Sequence, residues 1–139
     1  MTAPASVLDY LQTTSAAMDR GYTADCVAHA CAVADLLLSA GREAWIGRLR
    51  DVTQLGEDVF HGPLIPRRFT GDQARTWNVH YVCCSGTDVY DPMLGAPVSI
   101  EHYSLAAFGK PLDVTEHLSP QATANLWRTG ALKASFRRH

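Results

Sequence analysis

Three residues could together carry out nucleophilic chemistry: Cys26, His80 and Asp91. Thr23 is a good N-cap, so Cys26 is expected in the first turn of a helix. Unpaired backbone N–H groups and the positive end of the helix dipole there favour a thiolate. A thiolate also needs a base, and the base needs a group that fixes its tautomer. We therefore interpret the three as a candidate nucleophile, base and orienting acid.

The base and the acid lie on one predicted hairpin. Residues 76–84 and 88–90 are rich in β-branched and aromatic side chains, and Ser85, Gly86 and Thr87 between them are typical of a hairpin turn. Folding about this turn pairs positions whose numbers sum to roughly 171–173, which puts Asp91 opposite His80 within about one residue. Such neighbours have Cβ atoms about 5 Å apart. The spacing predicts a contact between His80 and Asp91.

The remaining pattern predicts the elements that hold these residues. Residues 4–18 and 23 to about 40 are expected to be helices, the second apolar around most of its circumference and therefore central. Residues 44–49 predict a strand and 50–72 mainly a loop, and Asp113, Glu116 and His117 are expected at a solvated surface. Two short helices are expected near residues 100–108 and from residue 119 onward. This order predicts an α+β fold with a central N-terminal helix packed on an antiparallel β-sheet.

Composition limits the classes of function. The chain has 139 residues, of which 47% are hydrophobic and 19% charged, which is typical of one globular domain spanning 1–139. The formal charge of −2 gives no positive excess for phosphates, so we expect no nucleic-acid partner. The longest apolar stretch, residues 26–40, is too short to span a bilayer, so no membrane partner is expected. Residues 1–10 lack the features of a signal peptide, which predicts cytoplasmic synthesis.

Three segments together resemble a known family: residues 25–30 (DCVAHA), 77–82 (WNVHYV) and 89–92 (VYDP). Their order resembles the papain-like superfamily in its transglutaminase-like arrangement, where a helix-borne cysteine precedes a strand histidine and a strand-end aspartate. Residues 91–98 (DPMLGAPV) are similar to bacterial protein-glutaminases and papain-fold glutamine deamidase toxins. The resemblance covers about residues 23–108.

The resemblance implies a single papain-like catalytic domain and a thiol-dependent amidohydrolase or acyltransferase without a cofactor. Cys26 would attack a carboxamide, His80 would act as general base and then acid, and Asp91 would orient His80. The backbone N–H of Cys26 would help bind the oxyanion. The implied substrate is a protein glutamine, for deamidation or a transglutaminase-like transfer. Trp77 and Asn78 would border the cleft and contact the substrate.

The resemblance also implies a biological setting. Small deamidases of this group often serve as bacterial effectors or toxins, so a protein or peptide of another cell would be the substrate. A cognate inhibitor or immunity protein would be a second partner. Export would then follow a route that needs no signal peptide.

Several alternatives remain open. A papain-like cysteine peptidase or a cell-wall peptide amidase would use the same three residues, and a binding module on this fold would use none. His29, one turn after Cys26, is an alternative base. Zinc could bind near Cys26 or near His80, but the positions of the potential ligands argue against it: 26, 29 and 31 share no helical face, and 83 and 84 point to opposite sides of a strand. We expect no metal and four reduced cysteines.

Overall fold

The computed structural model describes residues 3–20 and 26–128. Within these residues there are four α-helices, seven β-strands and a short 3-10 helix, so the predicted α+β class is confirmed. The helices are α1 (Ala5–Asp19), α2 (Cys26–Ser39), α3 (Ile100–Phe108) and α4 (Pro120–Arg128). The strands are β1 (Trp45–Leu49), β2 (Asp51–Leu55), β3 (Asp58–Gly62), β4 (His80–Ser85), β5 (Asp88–Tyr90), β6 (Val98–Ser99) and β7 (Thr115–Leu118).

Five strands form one antiparallel sheet in the order β6-β5-β4-β1-β7. All residues of the middle strand, β4, are buried, because successive side chains enter two different cores. Tyr81 and Cys83 pack with α2 in the first core, and Val82 and Cys84 pack with α3 in the second. A strand covered on both sides holds its side chains in fixed positions, and His80 is the first residue of this strand.

Helix α2 is the central helix that the sequence predicts, and it packs against β4, α1 and α4. It ends at Ser39, and Gly41 just beyond it has a φ of 76°, which lets the N–H of Arg42 reach the carbonyl of Leu37 at 2.9 Å. Its apolar circumference is not buried throughout, since Leu38 near this end is 50% exposed. The predicted N-cap, Thr23, lies outside the described residues.

The prediction of a loop over residues 50–72 is wrong in its first half. Strands β2 and β3 form a separate antiparallel hairpin, closed by a turn at Gly56 with φ 63°. Most of its side chains are exposed on both faces, so the sequence lacks the alternation that marks a half-buried strand. An ion pair of 2.6 Å between Lys110 and Asp51 holds its base.

Of the three residues expected at a solvated surface, Asp113 is exposed, and Glu116 and His117 belong to the edge strand β7, which pairs with β1. His117 is exposed, as expected, but its ring stacks on Trp45 with 3.7 Å between the centroids. Among the described residues, no helix is long and apolar enough to cross a membrane.

Candidate active site

His80 and Asp91 form a buried pair at the end of the hairpin of β4 and β5. His80 begins β4, and Asp91 directly follows the last residue of β5. The distance between His80 Nε2 and Asp91 Oδ2 is 2.9 Å, and the two side chains are 4% and 6% exposed. The predicted contact is therefore confirmed.

The register of the hairpin explains the geometry of this contact. Cys83 pairs with Tyr90, and Ser85 pairs with Asp88, which is the upper end of the predicted register. Continued by one pair, this register would put Asp91 opposite Val82, two positions from His80. The prediction of near-direct opposition is therefore one residue too close. The contact is diagonal, between side chains on one face of the hairpin, a separation that long side chains can span.

Among the described residues, three donors surround the carboxylate of Asp91. Its Oδ1 accepts the backbone N–H of Met93 at 2.9 Å, in the turn that Pro92 begins. Its Oδ2 accepts hydrogen bonds from His80 and from the Tyr103 hydroxyl of α3. Burial alone would raise the pKa of Asp91, but these hydrogen bonds and the charge of His80 lower it below the ordinary value of 3.8. Asp91 is therefore a buried carboxylate that stays ionised.

His80 is held in its protonated form by its neighbours. Burial alone would lower its pKa, but the charges of Cys26 and Asp91 and their hydrogen-bonding contacts raise it from 6.5 to about 10. Nε2 is committed to Asp91, whereas the buried Nδ1 has no hydrogen bond of ordinary geometry within the described part of the chain. Nδ1 is thus the ring nitrogen left for Cys26.

Cys26 is the first residue of α2 that the structure describes, and its side chain is half-buried against the core between α2 and β4. The first N–H groups of a helix have no partner inside the helix, so an anion at this position finds donors nearby. The Cys26 thiol lies close enough to His80 to raise the pKa of the imidazole through its charge and a hydrogen-bonding contact. The structure therefore brings together the three residues that the sequence singles out.

Aromatic rings enclose the imidazole of His80. The Trp77 ring stacks on it with 5.0 Å between the centroids and 10° between the planes, and Phe108 of α3 meets it edge-on at 5.5 Å. Trp77 is fixed through two backbone hydrogen bonds with Leu64, of 2.7 and 2.8 Å. These rings keep water from one face of the base. That Trp77 contacts a substrate stays a prediction.

Asn78 is half-buried, and its predicted contact with a substrate also stays a prediction. The alternative base, His29, is buried between α1 and α2, and its Nδ1 lies 2.8 Å from the Tyr10 hydroxyl. The carboxylate of Asp91 is paired with His80, and not with His29. This arrangement favours His80 as the base.

The cysteines other than Cys26 occupy different environments. Cys83 and Cys84 are fully buried in opposite cores, as strand alternation predicts, and burial raises the pKa of Cys84 to about 12 and that of Cys83 further. Burial and Asp35 also raise the pKa of Cys31. In the described residues, no group of three or more His, Cys, Asp or Glu side chains has a geometry suited to a metal ion.

The sequence does not reveal two residues that support the site. Tyr103 was expected in a helix, but no local pattern indicates that its hydroxyl reaches Asp91. Arg68 lies in a segment expected to be a loop, and its guanidinium donates to the Met93 carbonyl at 2.7 Å and to Ser15 of α1 at 2.6 Å. It thereby ties the turn after Asp91 to α1.

Comparison of the chain with protein-family models, with curated proteins and with solved structures finds no match.

Proposed function

We propose that this protein is a thiol-dependent amidohydrolase or acyltransferase in which Cys26, His80 and Asp91 act as a catalytic triad. The observation that carries the proposal is the buried pair of His80 and Asp91 beside Cys26. A protonated imidazole beside a thiol stabilises the thiolate, and a buried carboxylate fixes the tautomer and orientation of that imidazole. A core histidine with a merely structural role would need neither the thiol of Cys26 nor the carboxylate of Asp91 beside it.

The proposed reaction proceeds through an acyl-enzyme. The Cys26 sulfur attacks the carboxamide carbon, and backbone N–H groups at the start of α2 stabilise the oxyanion. His80 passes its proton to the leaving nitrogen, and the C–N bond breaks with release of ammonia. His80 then takes a proton from water, the hydroxide attacks the thioester, and the acid product leaves. With an amine in place of water, the same steps give transamidation.

For the substrate, we propose the side-chain amide of glutamine in a protein. The support is the resemblance of residues 91–98 to protein-glutaminases and glutamine deamidase toxins. The order of a helix cysteine, a strand histidine and an aspartate after the next strand also supports a papain-like, transglutaminase-like fold. On the same resemblance, the setting is that of a bacterial effector or toxin with a cognate inhibitor.

The test is ammonia release from a glutamine-rich protein mixture, with mass spectrometry of the products. The wild-type chain is compared with Cys26→Ala, with His80→Gln and with Cys31→Ala. Cys31 is the matched control, because it is a half-buried cysteine of the same helix that lies outside the site. We expect wild type and Cys31→Ala to convert glutamine to glutamate and the other two variants to lose this activity.

The products separate the related chemistries. Peptide fragments without ammonia would indicate a cysteine peptidase or a cell-wall peptide amidase instead of a deamidase. Incorporation of an added amine would indicate a transferase. Equal activity in wild type and Cys26→Ala would refute the thiol mechanism. If protein glutamines, peptide bonds and cell-wall peptides all remain unchanged, a binding module becomes the better proposal.

A further inference from the structure

Tyr103 is a fully buried residue of α3 whose hydroxyl donates a hydrogen bond to Asp91 Oδ2. This is the one hydrogen bond of the Tyr103 side chain in the described part of the chain. A buried hydroxyl needs a partner, but a core position could be filled by phenylalanine at no such cost. A tyrosine at this position therefore indicates that its hydroxyl has a role at Asp91.

Helix α3 presents this hydroxyl from a fixed position. The N–H of Ile100, its first residue, bonds to the carbonyl of Thr87 at 2.8 Å, in the turn between β4 and β5. At the other end, Gly109 with φ 72° caps the helix. The same helix packs Phe108 on the ring of His80. One element, anchored to the hairpin, therefore contacts both the base and the acid.

The hydrogen bonds of Asp91 restrict its rotation. Oδ1 is used by Met93, while Oδ2 is shared by His80 and Tyr103, so the carboxylate cannot turn about its axis without losing a donor. We propose that Tyr103 is a positioning residue of the catalytic site: its hydroxyl holds Asp91 so that Oδ2 keeps the Nε2–H of His80 and leaves Nδ1 directed to Cys26. This inference rests on the proposed function.

The surroundings of Asp91 support this role. Among the described residues, the titratable groups that face it are His80 from β4 and Tyr103 from α3. Burial and the charge of Asp91 raise the pKa of Tyr103 well above 10, and the thiols of Cys26 and Cys84 act in the same direction. The hydroxyl therefore stays protonated and remains a donor. Without it, the Asp91 carboxylate would lose one of the interactions that keep it ionised.

The test compares Tyr103→Phe with Tyr90→Phe. Tyr90 is a matched control, because it is also a buried tyrosine beside Asp91 in sequence but packs in the opposite core. The first readout is the titration of the Asp91 carboxyl by carbon-13 NMR, which requires no substrate. We expect its midpoint to move up by about one pH unit in Tyr103→Phe, because one hydrogen bond to a charged group is lost, and to stay in place in Tyr90→Phe.

The second readout is kcat and KM for glutamine deamidation. We expect a roughly tenfold lower kcat with an unchanged KM in Tyr103→Phe, since the hydroxyl touches no substrate. In the Asp91→Asn background, the same substitution should change kcat little, because Tyr103 acts through Asp91. This double variant keeps the test decisive if Tyr103→Phe is less stable.

The outcomes separate the two proposals. An unchanged Asp91 titration, or a shifted titration with an unchanged kcat, would overturn the positioning role. If wild type deamidates nothing, the proposed function fails first. In that case, the rate of Cys26 alkylation at pH 6 takes the place of kcat as the readout and is compared between Tyr103→Phe and Tyr90→Phe. A lower rate in Tyr103→Phe alone supports the positioning role, and equal rates in the two variants refute it.

Discussion

His80 Nε2 lies 2.9 Å from Asp91 Oδ2 although the two residues are eleven positions apart, on either side of a tight turn. The pair is buried, and the carboxylate and the nearby Cys26 together raise the pKa of His80 to about 10. A charged imidazole inside a protein is expensive unless it is paired. The pairing therefore keeps the His80 imidazole charged, whereas burial alone would leave it neutral.

Asp91→Asn should abolish most of the activity without unfolding the chain. The amide keeps the shape of the carboxylate but removes its charge, so the pKa of His80 should fall from about 10 toward 6.5. Loss of the orienting acid should lower kcat by on the order of 10²- to 10⁴-fold. Steady-state kinetics and proton NMR of the His80 ring measure the two effects.

Asp88→Asn is the control for that variant, because Asp88 is the first residue of β5, three positions before Asp91, and pairs with Ser85 at the other end of the hairpin. We expect its kinetics and its His80 titration to match those of wild type. An Asp91→Asn variant with normal kcat would show that the carboxylate has no part in the reaction.

The pH dependence of stability should reveal the charged histidine. Below about pH 6.5, the imidazole is protonated in the folded and in the unfolded chain, and the full stabilisation by the pair is present. As pH rises from 6.5 toward about 10, the unfolded chain releases the proton while the folded chain keeps it, so this stabilisation is lost. Urea unfolding of wild type and His80→Gln at pH 6, 8 and 10 measures this stabilisation. The difference between their free energies of unfolding should become smaller as pH rises.

The low pKa of Asp91 has the opposite consequence. Its contribution to stability should be present above pH 3.8 and disappear as pH falls below that value. If the free energies of unfolding of wild type and His80→Gln instead differ by the same amount at pH 6, 8 and 10, His80 is neutral in the folded chain and forms no ion pair with Asp91.

The local parts of the site could be predicted from the sequence, whereas the tertiary contacts could not. A turn between two apolar strands determines that His80 meets Asp91, and the apolar pattern of α2 predicts a helix that carries Cys26. The contacts of Tyr103 with Asp91 and of Trp77 with His80 depend on how α3 and a loop pack on the sheet, for which no short-range pattern exists.

The prediction of a loop in place of β2 and β3 has a different cause. Val52 and Val59 lie on one face of that hairpin and Leu55 and Phe60 on the other, and all four are well exposed. Sequence patterns detect strands through the contrast between a buried and a solvated face. Where no face is buried, only the turn residue Gly56 remains as a signal.

Alkylation should distinguish the cysteines in the native protein. At pH 6, iodoacetamide should label Cys26 first, because the protonated His80 stabilises a thiolate beside it. Cys31 should follow slowly, since burial and Asp35 raise its pKa, and Cys83 and Cys84 should react only on unfolding. Peptide mapping by mass spectrometry gives the four rates.

In this experiment, His80→Gln should slow the labelling of Cys26 by about tenfold or more and leave the rate of Cys31 unchanged. Similar rates for Cys26 and Cys31 in wild type would argue against an activated nucleophile and in favour of a binding module.

Trp77→Ala should reduce activity by more than its loss of stability explains. Trp77 and Trp45 are both half-buried and both stack on a histidine, but the partner of Trp45 is His117 at the sheet edge, away from the triad. Truncation of either ring should lower the free energy of unfolding by about 2–4 kcal/mol.

Without Trp77, water reaches the pair of His80 and Asp91, and the imidazole loses the surface that fixes its plane. We therefore expect kcat to fall roughly ten- to hundredfold in Trp77→Ala and to stay near wild type in Trp45→Ala. The kinetics are measured at a temperature where urea unfolding shows both variants to be fully folded, and an equal fall in both would reduce Trp77 to a packing residue.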